Sequence, residues 1–292
     1  NVAFGYADRF DEKYDMVRSL RVGNWKYIRN YQPFNFDGLW NNYRYKQLAY
    51  LEWLELYRQN KLNDVQSQFF QKKPAEMLFN LSEDPYETTN LSDNPDYSNI
   101  MDQMRARLNH ELSEMPDLSF FPEHYLVENA FDNPVDFGKS NKDQILKYIE
   151  IANLQILRLG VVKPYLLEYL DAKDPWERYW TLIDCSAFGE NDPQLVQKAK
   201  DIASNDPEPL VRMRAAEYLG IIGVTDPSEV MTKALYASDQ PAEGLLILNS
   251  IVLMQDGPWQ YSFRIEPERI KDEVRNNSEV KRRLEYLVDK SW

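Results

Sequence analysis

The sequence predicts an α+β fold, in which a small antiparallel sheet packed by one helix is followed by an all-α repeat region. Two patterns predict it: strand-like alternation on both sides of a Gly23-Asn24 turn, and helix starts that recur every 34 residues after residue 140. Of the 292 residues, 43% are hydrophobic, so the chain has enough apolar surface for a folded core. We expect three parts: residues 1–115, an extended linker over 116–139, and residues 140–292.

The sheet is predicted from three strands. Residues 16–22 and 25–31 flank the Gly-Asn turn in the manner of a β-hairpin. A hairpin alone is only marginally stable in water, so a third strand is needed, and residues 75–81 are the best candidate. Residues 1–6 read as a short strand, whereas the charged residues 8–15 are expected to form a loop.

Two helices are predicted around the third strand. In a long insert at about residues 33–73, apolar residues recur at helical spacing between 40 and 60, and their aromatic side chains are expected to pack in a core. Later, Asn94 as cap and Pro95 in the first turn mark another helix start. Apolar residues at steps of three or four form one face of this second helix, so we expect that face to lie on the sheet. The residues of the face are Tyr97, Met101, Met104, Leu108, Leu112 and Met115.

Asp-Pro pairs mark the predicted repeat region. Asp192-Pro193 recurs as Asp226-Pro227, 34 residues later. Asp caps the free N–H groups of a helix and Pro fits its first turn, so each pair predicts a helix start. Two helices per repeat at this period resemble HEAT-like α-solenoid units, over about residues 142–255. Strand-like residues 261–265 and a capping helix from Pro267 are expected to follow.

Composition excludes several classes of function. A net charge of −13 argues against nucleic acid as the main partner, although residues 1–31 are locally basic. No apolar run is long enough for a membrane-spanning helix. Cys185 is the only cysteine, so neither an intrachain disulfide nor a cysteine zinc cluster is expected. We expect its side chain to be buried and to fill space between helices. With two histidines and no spaced Asp/Asn cluster, the sequence predicts no metal site, and His124 has no recognisable partner.

Two motifs in this order carry a resemblance to a known family. The first is Arg18-x-x-Arg21-x-x-x-x-Lys26-x-Ile28-Arg29, and the second is the stretch 76–91, which contains Asp84-Pro85 and ends in Asn90-Leu91. Together with the long aromatic insert between them, they resemble the C-terminal region of type I (formylglycine-dependent) sulfatases. Within that family the chain looks most like the heparan N-sulfatase (N-sulfoglucosamine sulfohydrolase) branch. The resemblance covers roughly residues 4–115, and the HEAT-like repeats are appended to it.

The resemblance implies a role in glycan degradation. It places Arg9, Tyr14 and Arg18 beside the substrate cleft, where guanidinium groups suit sulfate or carboxylate because they bond two oxygens at once. It implies no catalytic residue in this chain, because the family's C-x-P-S-R motif is missing and Cys185 precedes Ser186-Ala187. Formylglycine, calcium and the nucleophile are therefore expected in an upstream catalytic domain, and this chain alone is expected to be inactive. The abrupt start at Asn1 suggests a fragment, and the family implies an exported protein.

Two functions of different class remain open at this point. The first is the C-terminal part of a sulfatase that hydrolyses sulfate esters or sulfamates of glycans and shapes one wall of the substrate cleft. The second is a non-catalytic α-solenoid that binds or scaffolds a partner. The two motifs favour the first function, and the repeat is compatible with both.

Overall fold

The computed structural model describes residues 1–289, and it opens with a four-stranded antiparallel sheet in the order β1-β2-β3-β4. The strands are β1 (Val2–Phe10), β2 (Lys13–Val22), β3 (Trp25–Asn30) and β4 (Glu76–Asn80). The β2–β3 hairpin turns at Gly23, whose φ of +60° suits glycine. The predicted third strand pairs with β3, so both parts of the sheet prediction are confirmed.

The loop predicted over residues 8–15 is wrong, because a second hairpin occupies it. β1 continues to Phe10, Asp11 turns the chain with a φ of +48°, and β2 starts at Lys13. A β-bulge between Ala7 and Arg9 interrupts the pairing. The charges of this segment had argued against a core strand, but the fold supplies their partners from distant parts of the chain.

The insert contains three short helices rather than one long helix. They are α1 (Asn42–Tyr45), α2 (Leu48–Arg58) and α3 (Asp64–Ser67). No residue of α2 is fully buried, but Tyr50 and Leu54 pack against the core, as the apolar spacing predicts. Trp53 stacks on Phe69, with ring centroids 4.5 Å apart, so aromatic residues of the insert also pack against one another.

The helix predicted after Asn94 is confirmed. Asn94 accepts a hydrogen bond from the Asp96 N–H, a 3-10 turn follows, and α4 runs over Ser98–Glu114. The helix contacts β2 and β3. Its buried residues belong to the predicted apolar face, and they are Met101, Met104, Leu108 and Leu112.

The linker predicted over residues 116–139 is only partly extended. It contains α5 (Glu123–Asn129) and α6 (Pro134–Ser140), each too short to show a helical period in the sequence. Phe120 and Phe121 are buried, which confirms the expectation that the phenylalanines pin this segment to the rest of the protein. The segment is therefore an integral part of the fold.

Helices dominate the remainder of the chain. Asp174 and Asp192 cap their helices as the Asp-Pro pattern predicts, whereas residues 261–265 form no strand within the described structure. In the helix Pro241–Asp256 (α13), every residue from Glu243 to Met254 is buried, which makes it the central helix. The helices are α7 (Lys142–Ala152), α8 (Leu159–Tyr169), α9 (Pro175–Phe188), α10 (Pro193–Asn205), α11 (Pro209–Ile221), α12 (Ser228–Ala237), α13 (Pro241–Asp256), α14 (Asp272–Arg275) and α15 (Ser278–Asp289).

The sheet and the helices share one connected set of buried apolar residues, from Tyr14 in β2 to Leu287 in α15. The HEAT-like character of the helices and the predicted boundaries near residues 115 and 140 stay predictions. Among the described residues, no helix combines the length and apolarity needed to cross a membrane.

A matched pair of leucines tests the packing of α4 on the sheet. Leu108 is 1% exposed and Leu48, in α2, is 81% exposed. We expect Leu108→Ala to lower the free energy of unfolding by about 2–5 kcal/mol, because it leaves a cavity under the helix. Leu48→Ala should change it by about 0.5 kcal/mol or less. Urea denaturation of both variants measures the difference, and equal midpoints would contradict this packing.

Candidate functional site

Arg18 is buried in the protein's own fold. Its side chain is 1% exposed and forms two ion pairs. Nη1 donates to Asp8 Oδ1 at 2.7 Å, and Nε donates to Asp117 Oδ2 at 2.6 Å. Burial alone would lower the pKa of Arg18, but the two carboxylates raise it above its ordinary value. Its hydrogen-bonding groups are therefore engaged within the chain, and they join β2 to the segment before α5.

Arg9 lies at the same junction but is more accessible, with 21% of its side chain exposed. Its Nε donates to Glu123 Oε2 at 2.9 Å, and its Nη2 contacts the same carboxylate. Nη1 lies 3.4 Å from Glu279 Oε2. Arg9 thus links the end of β1 to α5 and α15, and its charge is balanced by two partly exposed glutamates.

Tyr14 is a core residue. It is 8% exposed, and burial raises the pKa of its hydroxyl well above the ordinary value. Its backbone N–H donates to Asn249 Oδ1 at 3.0 Å, and its carbonyl accepts from Asn35 Nδ2 at 3.0 Å. Tyr14 therefore joins the sheet to α13 and to the insert.

The structure brings these three predicted substrate contacts to one face of the β1–β2 hairpin. Arg9 is the register partner of Tyr14, and Arg18 lies four residues further along β2, on the same side of the strand. That face is covered by residues of the same chain. Their role as substrate contacts stays a prediction, and Arg9 is the one that solvent reaches most easily.

A large cleft lies elsewhere, and the sequence analysis did not find it. It has a volume of about 1050 Å³ and separates the insert from residues 255–260 and α15. Aromatic side chains line both walls. Tyr57, Trp259 and Tyr286 are partly exposed, whereas Phe34, Phe36, Trp40, Tyr45 and Phe70 are buried behind the surface of the cleft. The clustering of aromatic residues in the insert was the available signal, but the sequence does not show that residues so far apart face each other.

Stacked rings fix the shape of the cleft. Trp40 and Tyr286 are stacked, with centroids 4.0 Å apart and planes at 13°, so this pair joins the two walls. The Tyr286 hydroxyl donates to Asp256 Oδ2 at 2.7 Å. Behind the pair, the buried Arg283 donates to the Trp40 carbonyl at 2.6 Å, and burial lowers the pKa of Arg283 to about 10. The Trp40–Tyr286 pair forms the floor of the cleft, and α15 holds it in place through Arg283.

Two cations at the cleft form no ion pair within residues 1–289, although the nearby Asp256 carboxylate attracts Arg58. Arg58 and Lys72 are exposed, and neither forms an ion pair or hydrogen bond within residues 1–289. Most other arginines of the described chain are engaged internally. Aromatic faces suit the apolar faces of sugar rings, and free guanidinium and ammonium groups suit sulfate or carboxylate substituents. The arrangement can therefore hold an anionic sugar.

Comparison with known proteins relates a region of this chain to a sulfatase. The chain matches no protein-family model. Over 127 residues it is 38% identical to an ulvan-active sulfatase from Formosa agariphila. A region of this chain is sulfatase-related. The match covers 43% of the chain but 21% of the relative, so the chain spans about a fifth of the relative's length. The sulfatase-related region agrees with the resemblance seen in the two motifs, whereas the heparan N-sulfatase branch stays a prediction.

Removing the buried cation at the junction tests its structural importance. We expect Arg18→Met to lower the free energy of unfolding by about 3–5 kcal/mol, because Asp8 and Asp117 then lose their shared cation in a poorly hydrated site. Arg21→Met, on the exposed end of β2, is the matched control and should cost less than about 1 kcal/mol. Urea denaturation followed by tryptophan fluorescence measures both. Equal stabilities would show that the pairing with Asp8 and Asp117 contributes little.

Proposed function

We propose that this chain is the C-terminal part of a sulfatase that acts on sulfated glycans, and that its aromatic cleft binds the glycan. The similarity to an ulvan-active sulfatase supports the enzyme class. The observation that carries the glycan assignment is the cleft, with aromatic rings on both walls and unpaired Arg58 and Lys72 at its edge. Ulvan, the substrate of the Formosa agariphila relative, is the first substrate to test.

The cleft fits this role by its chemistry. Sugar rings present C–H groups on their faces, and aromatic rings contact such faces through dispersion and their electron-rich surfaces. A sulfate group carries one full charge and accepts several hydrogen bonds, which a guanidinium donates in pairs. On a chain with a net charge of −13, these cations also determine where a polyanion can approach.

The catalytic step requires groups that this chain does not supply. Cys185 does not fit the position of a formylglycine, because it is buried in α9 and lies outside a C-x-P-S-R motif. Burial also raises the pKa of its thiol far above the ordinary value. Our proposal therefore assigns formylglycine and calcium to a separate catalytic domain, with this chain as its partner and with export as the location. The proposal covers both kinds of cleaved bond, a sulfate ester and a sulfamate.

Arg9, Tyr14 and Arg18 keep a proposed role near substrate that differs from their role in the fold. Of the three residues, Arg9 is the one that an anion can approach, once its ion pair with Glu123 opens. Arg18 and Tyr14 then act as positioning residues that hold the hairpin against the helices. The alternative function, a non-catalytic α-solenoid scaffold, draws support from the capped helices, and it requires no glycan binding.

Glycan binding by the cleft can be measured directly. We expect ulvan fragments to bind the purified chain in isothermal titration calorimetry. Trp259→Ala should weaken binding about 2- to 10-fold, since a stacking contact contributes about 0.5–1.5 kcal/mol. Arg58→Gln should weaken it about 10-fold or more, since a charge-assisted hydrogen bond contributes about 1.5–3 kcal/mol.

Two exposed residues outside the cleft provide matched controls for these substitutions. They are Tyr86, which is 87% exposed, and Lys200 on α10. Tyr86→Ala and Lys200→Gln should leave the dissociation constant unchanged, and desulfated fragments should bind more weakly than sulfated ones. If ulvan and other sulfated glycans fail to bind, or if all four variants bind them alike, the cleft is not the glycan site and the scaffold function is favoured.

A further inference from the structure

Three side chains with metal-binding groups converge at a place that neither the cleft nor the hairpin involves. His124 lies on α5, Glu208 precedes the first residue of α11, and Glu243 lies in the first turn of α13. One possible ligand atom of each lies within 4.8 Å of the others. The three residues are far apart in sequence, so only the packing of these helices brings them together.

His124 lacks the contacts that a buried imidazole normally has. Its side chain is 10% exposed, and Nδ1 has no hydrogen-bond partner. Its Nε2 lies 3.9 Å from Glu208 Oε1, which is too long for a hydrogen bond. The edge-to-face contact with Trp176, at 5.4 Å, holds the ring plane but satisfies neither nitrogen. A nitrogen lone pair is thus free for another ligand.

Neither glutamate forms an ion pair with a lysine or arginine within the described residues. Arg178, the arginine beside them, is paired with Asp206 at 2.7 Å, and Glu243 is held by hydrogen bonds from Ser238 and from the Asp239 backbone. A divalent cation bound here would compensate the two carboxylates directly.

We infer that His124, Glu208 and Glu243 bind one divalent transition-metal ion of the zinc class. Calcium and magnesium favour sites made of oxygen alone, whereas one imidazole with two carboxylates suits zinc and its neighbours. Ligands of one zinc ion lie about 2.0–2.2 Å from it, so each of the three ligand atoms needs to move by less than about 1 Å toward a central ion. Such a shift is within the range of glutamate side-chain rotation.

The site has room for the water that completes the coordination. The Glu208 side chain is 26% exposed, so solvent reaches one side of the cluster while His124 and Glu243 close the other. Three protein ligands and one water are a common arrangement for zinc. A bound ion would tie α5 to the starts of α11 and α13, and α5 also carries Glu123, the partner of Arg9.

Metal titration of the chain after chelator treatment tests this inference. We expect one Zn²⁺ per chain in calorimetry, with a dissociation constant in the micromolar range or lower. Co²⁺ should give the visible absorption of a four-coordinate ion, and Ca²⁺ should not compete. His124→Gln and Glu208→Gln should each raise the Zn²⁺ dissociation constant at least about tenfold, because each removes a ligand.

The Glu208→Gln variant and one control variant separate metal binding from folding. Glu208→Gln removes one of two facing charges, so the metal-free variant should be folded and at least as thermally stable as the original chain. Its melting temperature should no longer rise with Zn²⁺. His110→Gln, at the other and exposed histidine, is the control and should bind Zn²⁺ normally. Absence of stoichiometric Zn²⁺ binding, or equal affinity in His124→Gln and His110→Gln, would overturn the inference.

Discussion

One buried amide, that of Asn249 in the middle of α13, connects the sheet to the central helices and to α15. Its Oδ1 accepts from the Tyr14 N–H at 3.0 Å, and its Nδ2 donates to the Tyr14 carbonyl at 3.3 Å. The same Oδ1 receives Arg283 from α15 at 3.3 Å. Buried backbone groups at a strand end must be paired, so this side chain fixes where the sheet sits on the helices. Through Arg283 it also fixes Trp40, the floor of the cleft.

The elements with local signals could be predicted from the sequence. The β2–β3 hairpin and α4 follow from alternation, a Gly-Asn turn and a capped apolar face, each contained within a few residues. The β1–β2 hairpin was missed because Asp8 and Arg9 look like loop residues until Arg18 and Glu123 are placed beside them. Short helices such as α5 were missed because seven residues hardly define a period.

The candidate sites could not be predicted because they are assembled from distant segments. The cleft combines residues of the insert with Trp259 and Tyr286, and the His124 cluster combines three helices. The charges show the same dependence on packing. Arg18 and Arg283 are fully buried. Arg18 pairs with two carboxylates of the same chain, and Arg283 donates hydrogen bonds to backbone carbonyls. The positive charge available to an external anion is therefore much smaller than the sequence suggests, and the exposed cations of the cleft matter more.

The insert forms one wall of the cleft, and its parts differ in how deeply they are buried. Its helix α2 has no fully buried residue, whereas Trp40, in the same wall, is buried and stacked on Tyr286. Few buried contacts mean a low cost of local opening. The α2 part of the wall can therefore open locally while Trp40 and Tyr286 stay in place, so the outer width of the cleft can change without disturbing the remainder of the protein.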